Sequence, residues 1–324
     1  MKIQSGTLGA IVAACTAILL PMVADAQDFP SKPIRIVVPQ NPGGFADATG
    51  RQLADHFTRS FGQPAVVENK PGGNSMIGTA FVARSAPDGY TVLIGVPSLS
   101  LFNAILKAPE IDAVKDLAPI SQLMAVPLMV AVNAAMPVKT LGDFIAYVKK
   151  VPGELNYGSG GAALMLNTEL LLARAGLKMT RVNYVGEAQA VPALANNDVQ
   201  LVLSSAQGLL AMVQAGRVKV IATTASKLRS PGMPDVPTAA ESGLKGFDVV
   251  SWMGLLAPAN TPLPVRRKLS AAVAAFGKDP AVAERFKTAG GIPYTSTPEE
   301  FTRFIGEENR IWIDVAKRAG VEKQ

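Results

Sequence analysis

An α/β protein of two domains, each a mainly parallel sheet flanked by helices, is what this sequence predicts, on three observations. Short β-branched runs alternate with helical stretches along most of the chain, the pattern of strands covered on both faces. The length of 324 residues suits about two domains of ordinary size. Glycine-rich turns fall where strands give way to helices. With 48% apolar and 17% charged residues, the chain is too apolar and too weakly charged to stay disordered.

The first 26 residues read as an export signal. Lys2 gives a short positive start, the stretch from Thr7 to Leu20 is almost wholly apolar, and Ala24-Asp25-Ala26 fits the small-x-small cleavage rule with Gln27 as the new amino terminus. That apolar stretch is short for a membrane span. A lipoprotein reading, with Val12-Ala13-Ala14 before a lipidated Cys15, is the less favoured one because Thr16 to Val23 stay apolar where a tether is normally polar. The expected location is periplasmic.

In the mature chain, Ile34 to Val38 predicts a buried strand, followed by the turn-rich Pro39 to Gly44 and a helix capped by Asp47 that Gly62 stops. Ala65 to Glu68 predicts a second strand, with a helix running to Arg84 after Gly72-Gly73-Asn74-Ser75. Thr91 to Val96 predicts a third strand. After a less regular middle, strands are expected at Leu155–Tyr157, Val182–Tyr184, Val199–Leu203 and Val218–Thr223. Helices intervene at Phe144–Lys150, from the Gly158 loop to Ala175, at Glu187–Ala195 and at Leu209–Ala215. The end reads as helical, over Pro264–Phe276, Pro280–Ala289 and Pro298–Ala319.

Several chemistries are disfavoured by residue type. With one histidine (His56) and one cysteine (Cys15), a His/Cys zinc site and an internal disulfide are excluded, and no metal or cofactor is expected. Gly73 to Thr79 has the outer spacing of a phosphate loop but carries Thr79 where lysine is required. Gly158-Ser159-Gly160-Gly161-Ala162-Ala163 fits a loose dinucleotide turn, yet the next strand ends without the acid that holds the ribose. Ser159 lacks the glycine two positions earlier that a nucleophile elbow needs; Tyr157 stands there. The net charge of +6 is spread along the chain rather than gathered with aromatics, which argues against nucleic acid.

Three loops remain: Asn41 to Asp47, Gly72 to Ser75, and Gly158 to Ala163. Each leaves a strand and enters a helix, is rich in glycine and small polar residues, and contains neither Lys nor Arg. Glycine alone eases tight turns, but such loops at the carboxyl ends of parallel strands also aim backbone amides and positive helix ends at one point, which binds anions.

The same residues carry a resemblance. Phe29 to Pro39, then Pro42-Gly43-Gly44-x-x-Asp47, resembles the opening of Bug-type receptors, the extracytoplasmic solute-binding subunits associated with tripartite tricarboxylate transporters. The match continues through Gly62-Gln63-Pro64, Val67 to Gly72 and Ala86 to Thr91, and returns at Pro234 to Thr238 and Ser251-Trp252-x-Gly254 to Pro258. The resemblance implies a two-domain periplasmic-binding-protein architecture: residues 27–126 with 249–324 form the first domain and 127–248 the second, joined by strands crossing near Val126 and Val249. It implies a small organic acid held in the cleft by domain closure, membrane subunits of a transporter as partners, a monomeric state and no reaction. Carried over by position, the first-domain contacts are Gly43, Gly44, Phe45, Asp47, Gly73, Asn74 and Ser75. The second-domain contacts are Ser159, Gly160, Gly161, Tyr184, Gly186 and Ser204.

Two departures bear on the ligand. The loop after Tyr157 is shorter than usual and lacks the family's histidine, and Ser204 stands where an aspartate often follows the strand. Together with Leu164 and Met165 they predict a more apolar second-domain wall, with monocarboxylates or aromatic acids favoured over amino dicarboxylates, because no buried partner for an ammonium group is visible. A secreted two-domain α/β hydrolase, and a sensory receptor serving a signalling partner, remain alternative readings.

Overall fold

β1 (Ile34–Val38) is buried except at Arg35, which reaches out to pair with Glu68 at 3.4 Å. In this computed structural model, which describes residues 29–323, the leader, Cys15 and the expected cleavage after Ala26 lie outside the described residues. α1 (Phe45–Phe61) follows β1, and β2 (Ala65–Asn69) leads through a single 3₁₀ turn (Gly73–Ser75) into α2 (Met76–Ala83). Then come β3 (Thr91–Gly95), α3 (Ser98–Ile105), β4 (Leu117–Pro127), β5 (Met129–Asn133) and α4 (Leu141–Val148). β6 (Asn156–Ser159), α5 (Ala162–Ala175), β7 (Thr180–Asn183), α6 (Glu187–Asn196), β8 (Leu201–Ser204), α7 (Ala206–Gln214) and β9 (Val218–Thr223) continue the alternation. The chain ends with β10 (Val250–Pro258), α8 (Leu263–Phe276), α9 (Pro280–Thr288), β11 (Ile292–Pro293) and α10 (Pro298–Arg318).

Two sheets result, ordered β11-β4-β10-β3-β1-β2 and β7-β6-β8-β5-β9. Neighbouring strand residues face opposite sides, and both sides are covered. Val38, Ile94 and Leu255 enter one core of the first sheet while Val37, Leu93 and Leu256 enter the other. In the second sheet, Val130 and Leu203 part in the same way from Met129 and Val202. That two-sided burial is why these strands read as continuous apolar runs rather than alternating ones.

The α/β class holds, but the sheets are mixed rather than mainly parallel. β1 pairs in parallel with β2 and β3, and β6 with β7 and β8. β10 runs antiparallel to β3 and β4, and β5 antiparallel to β8 and β9. The cause is the crossing itself: β4 leaves the first sheet through Leu128 into β5, and β10 returns, so outgoing and returning strands run in opposite directions.

α10 is a third link. A capping box between Thr297 and Glu300, with Pro298 in the first turn, starts it. Its first half buries Phe301 and Ile305 against the first sheet, while Trp312, Val315 and Ala316 enter the core of the second.

Candidate functional site

The first-sheet candidates sit at one edge. β1, β2 and β3 are parallel, so the loops after Val38, Asn69 and Gly95 leave the same side of the sheet, and Val38 is in register with Asn69. Gly44 is the N-cap of α1, so the helix starts earlier than expected and Asp47, expected as its cap, lies within its first turn. Its Oδ2 accepts from the Gly43 amide at 2.9 Å and from Arg51 Nε at 3.0 Å. The Arg51 bond, with that of Gly43, holds this 3% exposed carboxyl below its ordinary pKa despite its burial. Phe45 packs toward Phe286, with ring centroids 6.1 Å apart.

The second loop is strained. Gly72, Gly73, Asn74 and Ser75 all have positive φ, at 120°, 56°, 52° and 76°. Asn74 and Ser75 are not glycine, and such conformations persist only where the surroundings impose them, commonly at ligand-gripping loops. Ser75 in the left-handed region followed by Met76 in the right-handed region makes a concave pair of amides at the start of α2.

The second-sheet candidates form one cluster. β6 extends past Tyr157 to Ser159, whose carbonyl accepts from the Tyr184 amide at 2.8 Å. Gly161 and Gly186 are the N-caps of α5 and α6. A Cβ on Gly160 would lie 2.8 Å from the Glu187 nitrogen and from the Gly186 carbonyl carbon, so glycine is what lets the two helix starts meet. Ser204, fully buried, donates from Oγ to Glu187 Oε2 at 2.7 Å, and Ser205 Oγ donates to the same oxygen at 3.0 Å.

A cavity of about 220 Å³ lies between the two sheets where the chain crosses. Pro97 and Leu101 bound it from the first side, Ala163, Leu164, Asn167 and Glu187 from the second, and Leu128, Val250 and Ser251 from the crossings; Glu308 and Trp312 of α10 complete it. The starts of α3, α5 and α6 therefore meet at one space that no Lys or Arg lines. None of the expected contacts lines it: the Gly43–Asp47 and Gly73–Ser75 loops stand at the same sheet edge as Pro97, one and two strands further out, and Ser159, Gly161 and Tyr184 line a separate cavity beside Arg181.

Sequence reasoning missed Asn167, Glu187 and Glu308. Glu187 overturns the ground for expecting no partner to an ammonium group, since its carboxylate stands at the cavity wall. Glu308 accepts from Trp252 Nε1 at 2.7 Å, and burial raises its carboxyl to about 7. His56, by contrast, lies at Ala272 O, 3.0 Å away on α8, and burial holds its imidazole below its ordinary pKa.

Comparison with known proteins follows the same outline. The model of the tripartite tricarboxylate transporter family receptor matches residues 49–321. A UPF0065 protein in the TAR-I ttuE-ttuC' intergenic region of Agrobacterium vitis is 35% identical over 311 residues, covering 94% of this chain and 90% of that protein. The R. palustris protein Rpa4515, solved with adipate, aligns with a TM-score of 0.68 at 30% identity, covering 92% of this chain and all of its own. MatC from Rhodopseudomonas palustris, solved with bound malate, aligns with a TM-score of 0.64 at 29% identity, over 89% of this chain and 100% of that one.

Proposed function

The chain belongs to the tripartite tricarboxylate transporter receptor family, and from that premise we propose that it is an extracytoplasmic receptor that captures one small organic acid and delivers it, unreacted, to the membrane subunits of a transporter. The observation that carries the reading is the meeting of three helix starts, from both sides of the cleft, at a space no cationic side chain lines. Helix-end amides favour an anion by up to ~2 kcal/mol each in partly buried geometry. Adipate in one relative's structure and malate in another's support a carboxylate as the captured group.

In this reading the first sheet with its helices acts as one body and the second sheet, residues 127–248, as the other, closing about Leu128, Val249 and α10, whose Trp312, Val315 and Ala316 sit in the second core. Closure brings the Gly43, Gly44, Phe45 and Asp47 loop and the Gly73–Ser75 loop toward Ser159, Gly160, Gly161, Tyr184, Gly186 and Ser204. Lone His56, bonded to α8, lies away from Ser159 and Ser204 in the fold and gives them no base, which disfavours the hydrolase alternative. The leader ending at Ala26 supports export to the periplasm, and among the described residues no helix is long and apolar enough to cross a membrane.

A melting-temperature screen against mono-, di- and tricarboxylates, adipate and malate included, tests the reading. An acid at 100 times its Kd stabilises the folded chain by about 2.7 kcal/mol, so at least one should raise the melting temperature clearly. No shift with any carboxylate contradicts the reading.

A further inference from the structure

Val185 is the most exposed large apolar side chain among the described residues, at 90%, and Ile77 follows at 57%. Both are held where they stand. The Val185 amide donates to Gln189 Oε1 at 3.2 Å, and the amide of its neighbour Tyr184 donates to the Ser159 carbonyl. Ile77 stands in the first turn of α2, beyond the strained Gly72–Ser75 loop, and lies over Gly72, where an added Cβ would come within 2.6 Å of Ile77 Cδ1. A single exposed apolar side chain is ordinary on a protein surface, but these two occupy equivalent places. β2 is the third strand out from β10, and β7 the third out from β5, so the loops that carry Ile77 and Val185 stand equally far from the crossing, about 14 Å at the usual strand spacing. β2 runs parallel to β1 and β3, and β7 to β6 and β8, so these loops leave the same edges as Pro97 after β3 and Ala163 after β6. Pro97 and Ala163 line one cavity between the sheets, so the two edges face one another.

Resting on the receptor reading above, we propose that Ile77 and Val185 are the two lips of the cleft, which meet when the bodies close over the captured acid, and that their contact sets how slowly the acid leaves. Each side chain faces water in this structure, and removing both from water as they meet favours the closed form. Val185 lies between Tyr184 and Gly186, and Ile77 two residues after Ser75, so each lip moves with a loop expected to touch the acid. The latch is apolar and places no charge at the mouth. It therefore acts on any acid that lets the bodies close, and leaves the choice among acids to the interior.

The chain from Gln27 onward contains no cysteine, so an Ile77→Cys/Val185→Cys variant of it reports on this pair alone. The probe is the carboxylate of the melting-temperature screen that binds the native chain most tightly, adipate and malate being the first tried. With copper-phenanthroline as oxidant, saturating acid should speed the disulfide tenfold or more, because the bond needs Cα atoms within about 7 Å of each other. A Val66→Cys/Val185→Cys variant, whose first cysteine stands further back along β2, should show no such acceleration. In stopped-flow displacement, Val185→Ser should release the acid at least fivefold faster than the native chain, and Val185→Ile should keep the slow release. The association rate of Val185→Ser should stay within twofold and its unliganded melting temperature should not change, since a side chain 90% exposed packs against little. A disulfide rate that the acid does not alter, equal acceleration of both cysteine pairs, or native release from Val185→Ser shows the inference wrong and leaves the receptor reading standing; such side chains would then be held out for another protein. If no carboxylate binds, the receptor reading falls first and this inference with it.

Discussion

Thr224 and Leu128 are bonded twice where the chain crosses between the sheets: the Thr224 amide donates to the Leu128 carbonyl at 2.8 Å, and the Leu128 amide donates to Thr224 Oγ1 at 3.0 Å. The same hydroxyl donates to the Val249 carbonyl at 2.7 Å, so one buried threonine ties the outgoing strand to the returning one. Replacing it with the isosteric valine leaves the Leu128 amide buried without a partner. Thr224→Val should therefore cost about 1–3 kcal/mol in denaturant unfolding, with Thr224→Ser recovering most of the loss. Equal stability of the valine variant and the native chain contradicts the clasp.

Gly160→Val should abolish ligand binding, for a reason the sequence alone does not contain. The new Cβ collides with the Gly186–Glu187 backbone and pushes apart the starts of α5 and α6. Its measured effect should combine lower stability with at least a hundredfold weaker binding. A variant that binds normally rules out a close meeting of these loops.

Lys70 and Ser159 separate cationic from hydroxyl-and-amide recognition. Lys70 is already committed, 2.7 Å from Glu68 and over the Phe81 ring at 4.2 Å. Lys70→Ala should change affinity several-fold at most, and mainly at low salt. Ser159→Ala should lose about 1.5–3 kcal/mol, one to two decades in Kd, through a hydrogen bond to a charged ligand group. The opposite ranking in titration calorimetry contradicts the proposed mode of capture.

Glu308 makes stability fall as pH rises toward neutrality. Its carboxyl is raised from 4.5 to about 7, chiefly by burial, so between those values the folded chain holds a proton that the unfolded chain has lost. The destabilisation grows from about pH 4.5, levels off above about 7, and reaches at most about 3 kcal/mol. Asp47, whose pKa is lowered, acts with the opposite sign: its contribution is lost as pH falls through its folded value. Urea unfolding of the native chain and Glu308→Gln between pH 4.5 and 8 should show this component of the slope only in the native chain; identical slopes contradict it.

The strand-to-helix loops were legible because their glycines and small polar residues sit between runs of clear periodicity, as from Val38 to Asp47. The antiparallel partners of the crossing strands were not, since Leu117–Pro127 and Val250–Pro258 are as apolar as parallel strands are. Glu187 was hidden for another reason. An acid in the first turn of a helix is an ordinary partner of the helix dipole, and only the fold brings it against Ser204. The capping box of Thr140 and Asp143, which starts α4 at Leu141 rather than Phe144, is a short-range signal that the helical periodicity overshadowed.

Reversible capture without reaction is tested by titration calorimetry of the chain from Gln27 onward, followed by nuclear magnetic resonance of the recovered ligand. A receptor should give saturable heat at one acid per chain for at least one small carboxylate, with the acid recovered unchanged. Absence of binding across the carboxylates, or recovery of a chemically altered acid, contradicts it.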